Sequence, residues 1–313
     1  MLTLFTIPKA FHGHTGVIQR NAIKSWTMLR PECEVILLAD DEGTAEVAKE
    51  FGVKHIPDIA RNDFGTPLLN CAFEKAEAAA NYSILCHVNA DIILMSDFTE
   101  AVSKVNELTS RFLITGQRRD LEVTRLLDFE NGWEEKLLSD VHEKGRLHHF
   151  TGVDFWAYSK GLINNMPPFA VGRIATESWL MYKTRLEKAD LIDATDTIVS
   201  VHQNHDYSHH PDGLRGIGTG VEAQRNRELV GGKSYFFIIK DRTHVLTPRS
   251  LDRVRDLWWI WRSIRTFSVL HPSAFFPLRI GLNAVNGAID GARQLGKRLG
   301  VRRPYKINID LPD

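Results

Sequence analysis

The apolar residues of this chain fall into short runs that alternate with stripes at helical spacing. The runs at residues 2–7, 34–38 and 82–88 are rich in β-branched and aromatic side chains and predict buried strands. The stripes at residues 17–29 and 45–51 have apolar positions three and four apart and predict helices. Strands that alternate with helices predict an α/β fold with helices flanking a central sheet.

A polar step interrupts the longest apolar run of the chain. Asn89, Ala90 and Asp91 follow the strand predicted at residues 82–88, so they would lie at its carboxyl edge. Ligands of open α/β sheets bind outside this edge, where a carboxylate faces a crevice. Asp91 is therefore the first candidate for a binding residue. The alternative is a plain polar turn between two strands.

Polar residues also follow the first two predicted strands. Thr6 and Lys9 flank Pro8, at which the first strand stops, and Asp40 ends the second strand. If both strands are parallel, these side chains reach the same edge of the sheet as Asp91. For Asp40 the alternative is a charge that solvates a turn.

A loop at residues 59–67 precedes the next predicted helix. Its last two residues, Thr66 and Pro67, are of the types favoured at the N-cap and first position of a helix. Arg61 lies in this loop, beside a helix N-terminus that would attract anions. Arg61 is thus a candidate phosphate contact, with an exposed surface charge as the alternative.

The second half of the chain supplies further candidates. Asp154 enters a strongly aromatic strand, and Glu177 lies in the first turn of a helix predicted at residues 176–188, where the helix dipole also favours a carboxylate. His202 and His205 follow a strand predicted at residues 198–201. Neutral imidazole is a good ligand for Mn²⁺ or Zn²⁺.

The order of these features over residues 1–240 resembles that of the GT-A nucleotide-diphospho-sugar glycosyltransferases. Asn89-Ala90-Asp91 is similar to the Asp-x-Asp metal step of that family, with Asn89 in place of the first carboxylate. The resemblance implies a Rossmann-like, mostly parallel central sheet. It also implies Mn²⁺ or Mg²⁺ held by Asp91 with His202 and His205.

The same resemblance implies roles for the remaining candidates. The nucleotide would be held by Thr6, Pro8, Lys9, Asp40, Arg61 and Asn89. Glu177 would accept the proton of the acceptor hydroxyl, with Asp154 as the second candidate for this base. A glycine-rich stretch at residues 211–220 resembles the lid that closes over bound donor in these enzymes.

The implied reaction transfers a sugar from a nucleotide-diphosphate donor to a glycan or lipid-linked acceptor, as in bacterial polysaccharide or glycolipid assembly. Two alternatives remain: a nucleotidyltransferase, and a non-catalytic protein that binds glycans or nucleotide sugars. The sequence lacks a glycine-rich basic loop after the first strand for a triphosphate, which disfavours the nucleotidyltransferase. It also lacks the Gly-x-Gly-x-x-Gly of dinucleotide-binding dehydrogenases.

Composition adds an expectation about location. The chain is 43% hydrophobic and 25% charged, as is usual for globular proteins. It has neither an apolar run of roughly 18 residues nor a basic start typical of a signal peptide. We therefore expect a cytoplasmic protein without a nucleic-acid partner.

The net charge of zero conceals a basic tail. Residues 242–306 contain 13 Lys and Arg against 3 Asp and Glu. We therefore divide the chain into a catalytic domain at 1–241 and a helical, aromatic extension at 242–313. An apolar stripe at helical spacing within the extension predicts peripheral binding to the inner face of the membrane. The alternatives are packing on the catalytic domain and an oligomer interface. The stripe consists of Leu251, Val254, Leu257, Trp258, Trp261 and Ile264.

Overall fold

The computed structural model describes residues 1–205 and 218–271, together with Gly281, Ala284 and Gly287. The predicted lid therefore lies largely outside the described residues, and so does most of the extension beyond residue 271. The described strands are β1 (Thr3–Thr6), β2 (Glu34–Leu38), β3 (Lys54–Ile56), β4 (Ile84–Val88), β5 (Ile92–Ile93), β6 (Phe112–Thr115), β7 (Arg119–Leu121), β8 (Arg146–Leu147), β9 (Phe155–Ser159), β10 (Asp190–Asp193), β11 (Val201–Gln203), β12 (His244–Leu246) and β13 (Leu251–Arg253).

Helices connect most of these strands. The described α-helices are α1 (Gly13–Met28), α2 (Thr44–Phe51), α3 (Leu69–Ala79), α4 (Ser96–Leu108), α5 (Trp133–Lys144), α6 (Thr176–Leu186), α7 (Val221–Val230) and α8 (Leu257–Leu270). Among the described residues, no helix is long and apolar enough to cross a bilayer.

The central sheet has nine strands in the order β13-β12-β10-β6-β9-β4-β1-β2-β3. Five of its neighbouring pairs are parallel, and the three antiparallel ones involve β9 on both sides and the edge strand β13. The predicted α/β class with a mostly parallel sheet is therefore confirmed. A second sheet has four strands in the order β5-β11-β7-β8. Its strand β5 directly follows the polar step after β4.

The main core lies where helices cover the central sheet. Leu4, Leu37 and Val88 are buried strand residues, and they share one hydrophobic cluster with Trp26 of α1 and Phe98 of α4. Strands covered in this way read as continuous apolar runs, which is the pattern that the sequence showed. A smaller cluster packs α5 against the second sheet.

Three element boundaries differ from the sequence predictions. The third helix begins at Leu69 rather than at Thr66 and Pro67, because Pro67 pairs with Arg61 in an antiparallel bridge and its carbonyl accepts a hydrogen bond from the Val171 amide at 3.0 Å. The last described strand before residue 205 is Val201–Gln203, so His202 lies within it. The predicted helix at 176–188 ends at Leu186.

The aromatic and apolar run at residues 234–239 also predicts a strand, and this prediction is wrong. Two 3₁₀ turns, Lys233–Tyr235 and Ile239–Asp241, occupy that stretch. The Asp241 carboxylate accepts a hydrogen bond from the Ile238 amide at 2.9 Å and so closes the second turn. β12 and β13 extend the sheet instead. Leu251 therefore lies in a strand and Val254 is buried, so these two residues do not belong to the helical stripe that the sequence predicts, and the helix begins only at Leu257. The first compact unit therefore continues past residue 241 and comprises Met1–Trp259, followed by a second unit, Ile260–Asp313.

Candidate active site

Three side chains predicted as metal ligands come together at the carboxyl end of β4. Their candidate ligand atoms all lie within 4.8 Å of one another. The Oδ2 atom of Asp91 is 3.0 Å from Nε2 of His205 and 3.8 Å from Nε2 of His202. The pairing of β11 with β5 explains this geometry, because it places His202 opposite Ile92, one residue after Asp91.

The protonation states of this cluster suit a cation. Burial alone would raise the pKa of Asp91, but the hydrogen bond from His205 and nearby positive charge, including that of Lys9, outweigh burial and hold that pKa well below its usual range. Burial lowers the pKa of His202 against the charge of Asp91, and this direction favours the neutral imidazole, whose lone pair could bind a metal. The Oδ1 atom of Asp91 is buried and has no hydrogen-bond partner among the described residues. An acceptor left in this state fits a ligand position for a cation.

Asp154 lies next to this cluster with both carboxylate oxygens engaged. Its Oδ1 atom accepts a hydrogen bond from Asn89 Nδ2 at 2.6 Å, and its Oδ2 atom accepts one from Arg118 Nη1 at 2.9 Å. The antiparallel pairing of β4 with β9, in which Val88 faces Phe155, brings Asn89 and Asp154 side by side. The side-chain amide of Asn89 therefore fixes the position of the Asp154 carboxylate.

Glu177 occupies the first turn of α6, as the sequence predicts. The pKa of Glu177 is raised to about 7, chiefly by burial and also by the negative charge of Asp154, while backbone hydrogen bonds at the helix start oppose both effects. A carboxyl group with a pKa near 7 can both accept and release a proton at neutral pH.

A cleft opens beside Asp91 and receives several of the predicted binding residues. Thr6, Lys9, Asn89 and Asp91 all line it, together with His87 of β4. Burial lowers the pKa of Lys9, although the charge of Asp91 opposes that shift. Both backbone polar groups of Lys9 bond the side-chain amide of Gln19, at 2.7 and 2.8 Å, which fixes this turn after β1. Pro8 is buried within the same turn.

Asp40 and Arg61 meet each other, in a cluster separate from the lining of the cleft. The Nη2 atom of Arg61 lies 2.7 Å from Asp40 and 2.9 Å from Asp41, and its Nη1 atom donates to the carbonyl of Gly65 at 2.8 Å. The hydrogen bond from Arg61 lowers the pKa of Asp40. The guanidinium of Arg61 is thus held by two carboxylates in this structure.

Sequence reasoning missed three polar residues behind the cluster. Arg118 donates from Nε to Asp120 at 2.9 Å, and His148 Nδ1 lies 2.6 Å from the other oxygen of Asp120. Arg118 follows β6, so the strand-end pattern that pointed to Asp91 could have found it, whereas Asp120 lies within the short strand β7. His148 precedes β9 in an irregular stretch that carries no such signal.

Comparison with known proteins gives matches of overall structure only. No protein-family model matches the sequence, and no curated protein matches it. The crystal structure of S. aureus TarS 1-349 in complex with UDP-GlcNAc has 12% sequence identity and a TM-score of 0.47, with 88% of this chain and 73% of that chain covered. Glucosyl-3-phosphoglycerate synthase from Mycobacterium tuberculosis, in complex with Mg²⁺ and UDP, has 14% identity and a TM-score of 0.45, with 82% and 87% covered.

These likenesses are distant. Another S. aureus TarS structure has 12% identity and a TM-score of 0.43, and the match covers 65% of this chain but only 36% of that one. This chain therefore spans about a third of the length of that TarS chain. At such identities and TM-scores the likeness carries no conclusion about what this chain binds or catalyses.

Proposed function

We propose that this chain is a glycosyltransferase that uses a divalent cation to move a sugar from a nucleotide-diphosphate donor to an acceptor hydroxyl. One observation carries the proposal: Asp91, His202 and His205 meet within 4.8 Å at the carboxyl edge of the sheet. A cleft lined by Thr6 and Lys9 opens beside them. The GT-A resemblance of the sequence supports this proposal, because it implies a metal and a nucleotide in this part of the fold.

The donor atoms of the cluster favour Mn²⁺ over Mg²⁺. Mg²⁺ prefers oxygen ligands in octahedral geometry, whereas imidazole nitrogen suits the transition metals. Asp91 would supply the carboxylate, and His202 and His205 would supply the nitrogens. A divalent cation held there would act as a Lewis acid on the diphosphate leaving group. Zn²⁺ also fits two imidazoles and one carboxylate, so the test below includes it.

For the donor, we assign the diphosphate to the cleft beside Lys9. A cationic side chain that is largely withdrawn from water interacts strongly with a phosphate, because little solvent screens the pair. Thr6 and Pro8 would contact the base and ribose. Asp40 and Arg61 lie in a separate cluster. Arg61 could contact the donor only if it exchanged its carboxylate partners for a phosphate of the donor.

For the acceptor, we assign the role of general base to Glu177. Asp154 is the weaker candidate, because hydrogen bonds from Asn89 and Arg118 occupy both of its oxygens. Glu177, with its pKa raised to about 7, is matched to proton abstraction at neutral pH.

A lipid-linked acceptor and a peripheral membrane position complete the proposal. One face of α8 presents apolar side chains to solvent: Leu257 is 85% exposed, and Ile260 and Ile264 are each 45% exposed. These positions are three and four residues apart and so form a single stripe. We assign this stripe to the surface of an anionic membrane, which would bring the enzyme to a lipid-linked acceptor.

The test is turnover of nucleotide sugars. The full chain is incubated with UDP-, GDP-, dTDP- and CMP-activated sugars, each with Mn²⁺, Mg²⁺, Zn²⁺ or a chelator, and the nucleotide products are separated. We expect release of a nucleoside diphosphate that depends on Mn²⁺. In a separate incubation with nucleoside triphosphates and a sugar 1-phosphate, release of pyrophosphate would instead indicate a nucleotidyltransferase. Thermal stabilisation by a nucleotide sugar without any turnover, across donors and acceptors, would indicate a binding protein.

A further inference from the structure

A mostly buried carboxylate lies behind the proposed metal ligands, on the far side of one imidazole ring. β7 pairs with β11 in parallel, and Asp120 stands opposite His202 in that register. The Oδ1 atom of Asp120 is 3.2 Å from Nδ1 of His202, whereas Nε2 of His202 is the nitrogen that faces Asp91. The two ring nitrogens of His202 are therefore directed at two different carboxylates.

Asp120 is itself fixed in place by two other side chains. Arg118 donates a hydrogen bond to its Oδ1 atom at 2.9 Å, and His148 Nδ1 lies 2.6 Å from its Oδ2 atom. Arg118 also donates to Asp154, the residue before β9, and so connects Asp120 to Asp154. The guanidinium beside Asp120 disfavours a second cation at this carboxylate, which leaves an orienting role.

The chemistry of a carboxylate specifies what that role is. An ionised carboxylate only accepts hydrogen bonds, so it favours the form of neutral His202 that carries its proton on Nδ1. The lone pair is then on Nε2, the nitrogen that faces Asp91 and His205. Nδ1 of His202 is buried and makes no aligned hydrogen bond, and Asp120 is the carboxylate within reach of it.

We infer that Asp120 is a positioning residue that sets the tautomer and orientation of His202, so that Nε2 faces the cation. This inference rests on the metal site of the proposed function. Mutation of a carboxylate that accepts a hydrogen bond from the second nitrogen of a metal-bound histidine typically lowers metal affinity by about 10-fold to 100-fold.

The first experiment measures the tautomer without any metal. Protein labelled with ¹⁵N-histidine is compared with Asp120→Asn and Asp120→Ala, and the resonances of His202 are identified by their loss in His202→Gln. We expect the Nδ1–H tautomer in the wild-type protein. The amide of Asp120→Asn can donate to Nδ1, and Asp120→Ala removes the acceptor, so both variants should gain the Nε2–H form. Identical tautomer populations in all three proteins would overturn the inference.

The second experiment measures Mn²⁺ binding by electron paramagnetic resonance of the free ion. We expect Asp120→Asn and Asp120→Ala to weaken binding by at least about 10-fold. Asp190→Asn is the matched control, because Asp190 lies 3.3 Å from Nδ1 of His244 in a similar pair on the central sheet. Its Mn²⁺ affinity should equal that of the wild type.

The outcomes separate this inference from the proposed function. If the wild-type protein binds Mn²⁺ and both Asp120 variants bind it equally well, only the role of Asp120 is overturned. If the wild-type protein binds no divalent cation, the metal site is wrong and the role of Asp120 falls with it. Circular dichroism spectra of the variants identify any loss of affinity that results from unfolding.

Discussion

The negative charge of Asp154 is one of the reasons why the pKa of Glu177 is raised to about 7, second to the burial of Glu177 itself. The two carboxylates interact but differ in their environments. Hydrogen bonds from Asn89 and Arg118 engage both oxygens of Asp154, whereas burial and a like-charged neighbour act on Glu177. Environments that differ in this way suit two carboxyl groups to different chemical roles.

We predict that Glu177→Gln lowers the rate of sugar transfer by roughly 100-fold or more and leaves donor affinity nearly unchanged. The amide keeps the size of the side chain but cannot accept a proton. Single-turnover rates and donor affinity by calorimetry check this. Glu187→Gln, at the other end of the same helix, should transfer sugar at the wild-type rate. Equal rates for Glu177→Gln and the wild type would exclude Glu177 as the base.

The same substitution should change how stability depends on pH. The folded-state pKa of Glu177 is raised above its ordinary value of 4.5, so the folded protein binds this proton more tightly than the unfolded chain does. The contribution of Glu177 to stability therefore falls as pH rises from about 4.5 to about 7. We expect Glu177→Gln to have a higher melting temperature than the wild type at pH 8, and a smaller difference at pH 4. A variant less stable than the wild type at pH 8 would contradict the assigned burial cost.

The pH dependence of transfer should report the influence of Asp154 on Glu177. In the wild-type protein we expect the rate to rise with pH through about 7, as Glu177 loses its proton. Asp154→Asn removes a negative charge and so lowers the pKa of Glu177, which shifts the rising limb to lower pH. The measurement is a pH profile of kcat/KM at constant ionic strength. A rising limb that does not move would show that Asp154 has no electrostatic effect on the base.

Asp91→Asn should abolish turnover that depends on Mn²⁺, because Asp91 is the one carboxylate of the cluster among the residues that the structure describes. We expect Mn²⁺ binding to weaken by several kcal/mol while the circular dichroism spectrum stays unchanged. Asp58→Asn is the control, since the side chain of Asp58 is 92% exposed, makes an ion pair with Lys75 and follows the edge strand β3. Undiminished turnover in Asp91→Asn would remove the metal assignment.

The exposed stripe on α8 gives a prediction about membranes. The combined variant Leu257→Ser, Ile260→Ser and Ile264→Ser should lose most of its sedimentation with vesicles that contain anionic lipid, since it loses the apolar area that would enter the interface. The control carries Leu126→Ser and Leu147→Ser, at two other exposed leucines, 58% and 50% exposed. If neither variant differs from the wild type, the stripe belongs to a protein interface.

The sequence predicted most of the sheet because strands covered on both faces are apolar throughout. It also predicted the metal cluster, because Asp91 follows a buried strand and because His202 and His205 are of a residue type that binds metals. The failures have a common cause. Whether Pro67 starts a helix depends on a hydrogen bond with the backbone of Val171, which no local pattern reveals.

The residues behind the cluster were missed for a related reason. Asp120 lies among charged residues, which is typical of an exposed loop. Its position behind His202 results from the pairing of β7 with β11. Registers between short strands such as β5, β7 and β11 are specified by tertiary packing rather than by hydrophobic periodicity. The sequence therefore predicts single ligands better than the residues that orient them.

The cluster of Asp91, His202 and His205 forms only when β11 pairs with β5, so metal binding requires a folded chain. His205 and Asp91 are 114 positions apart in the chain, so no short segment contains the cluster on its own. Contacts between residues so far apart form late if local structure forms first. During refolding from denaturant, Mn²⁺ uptake should therefore lag behind the recovery of helical circular dichroism. Mn²⁺ binding would then measure the fraction of molecules in which the strands from both halves of the chain have paired correctly.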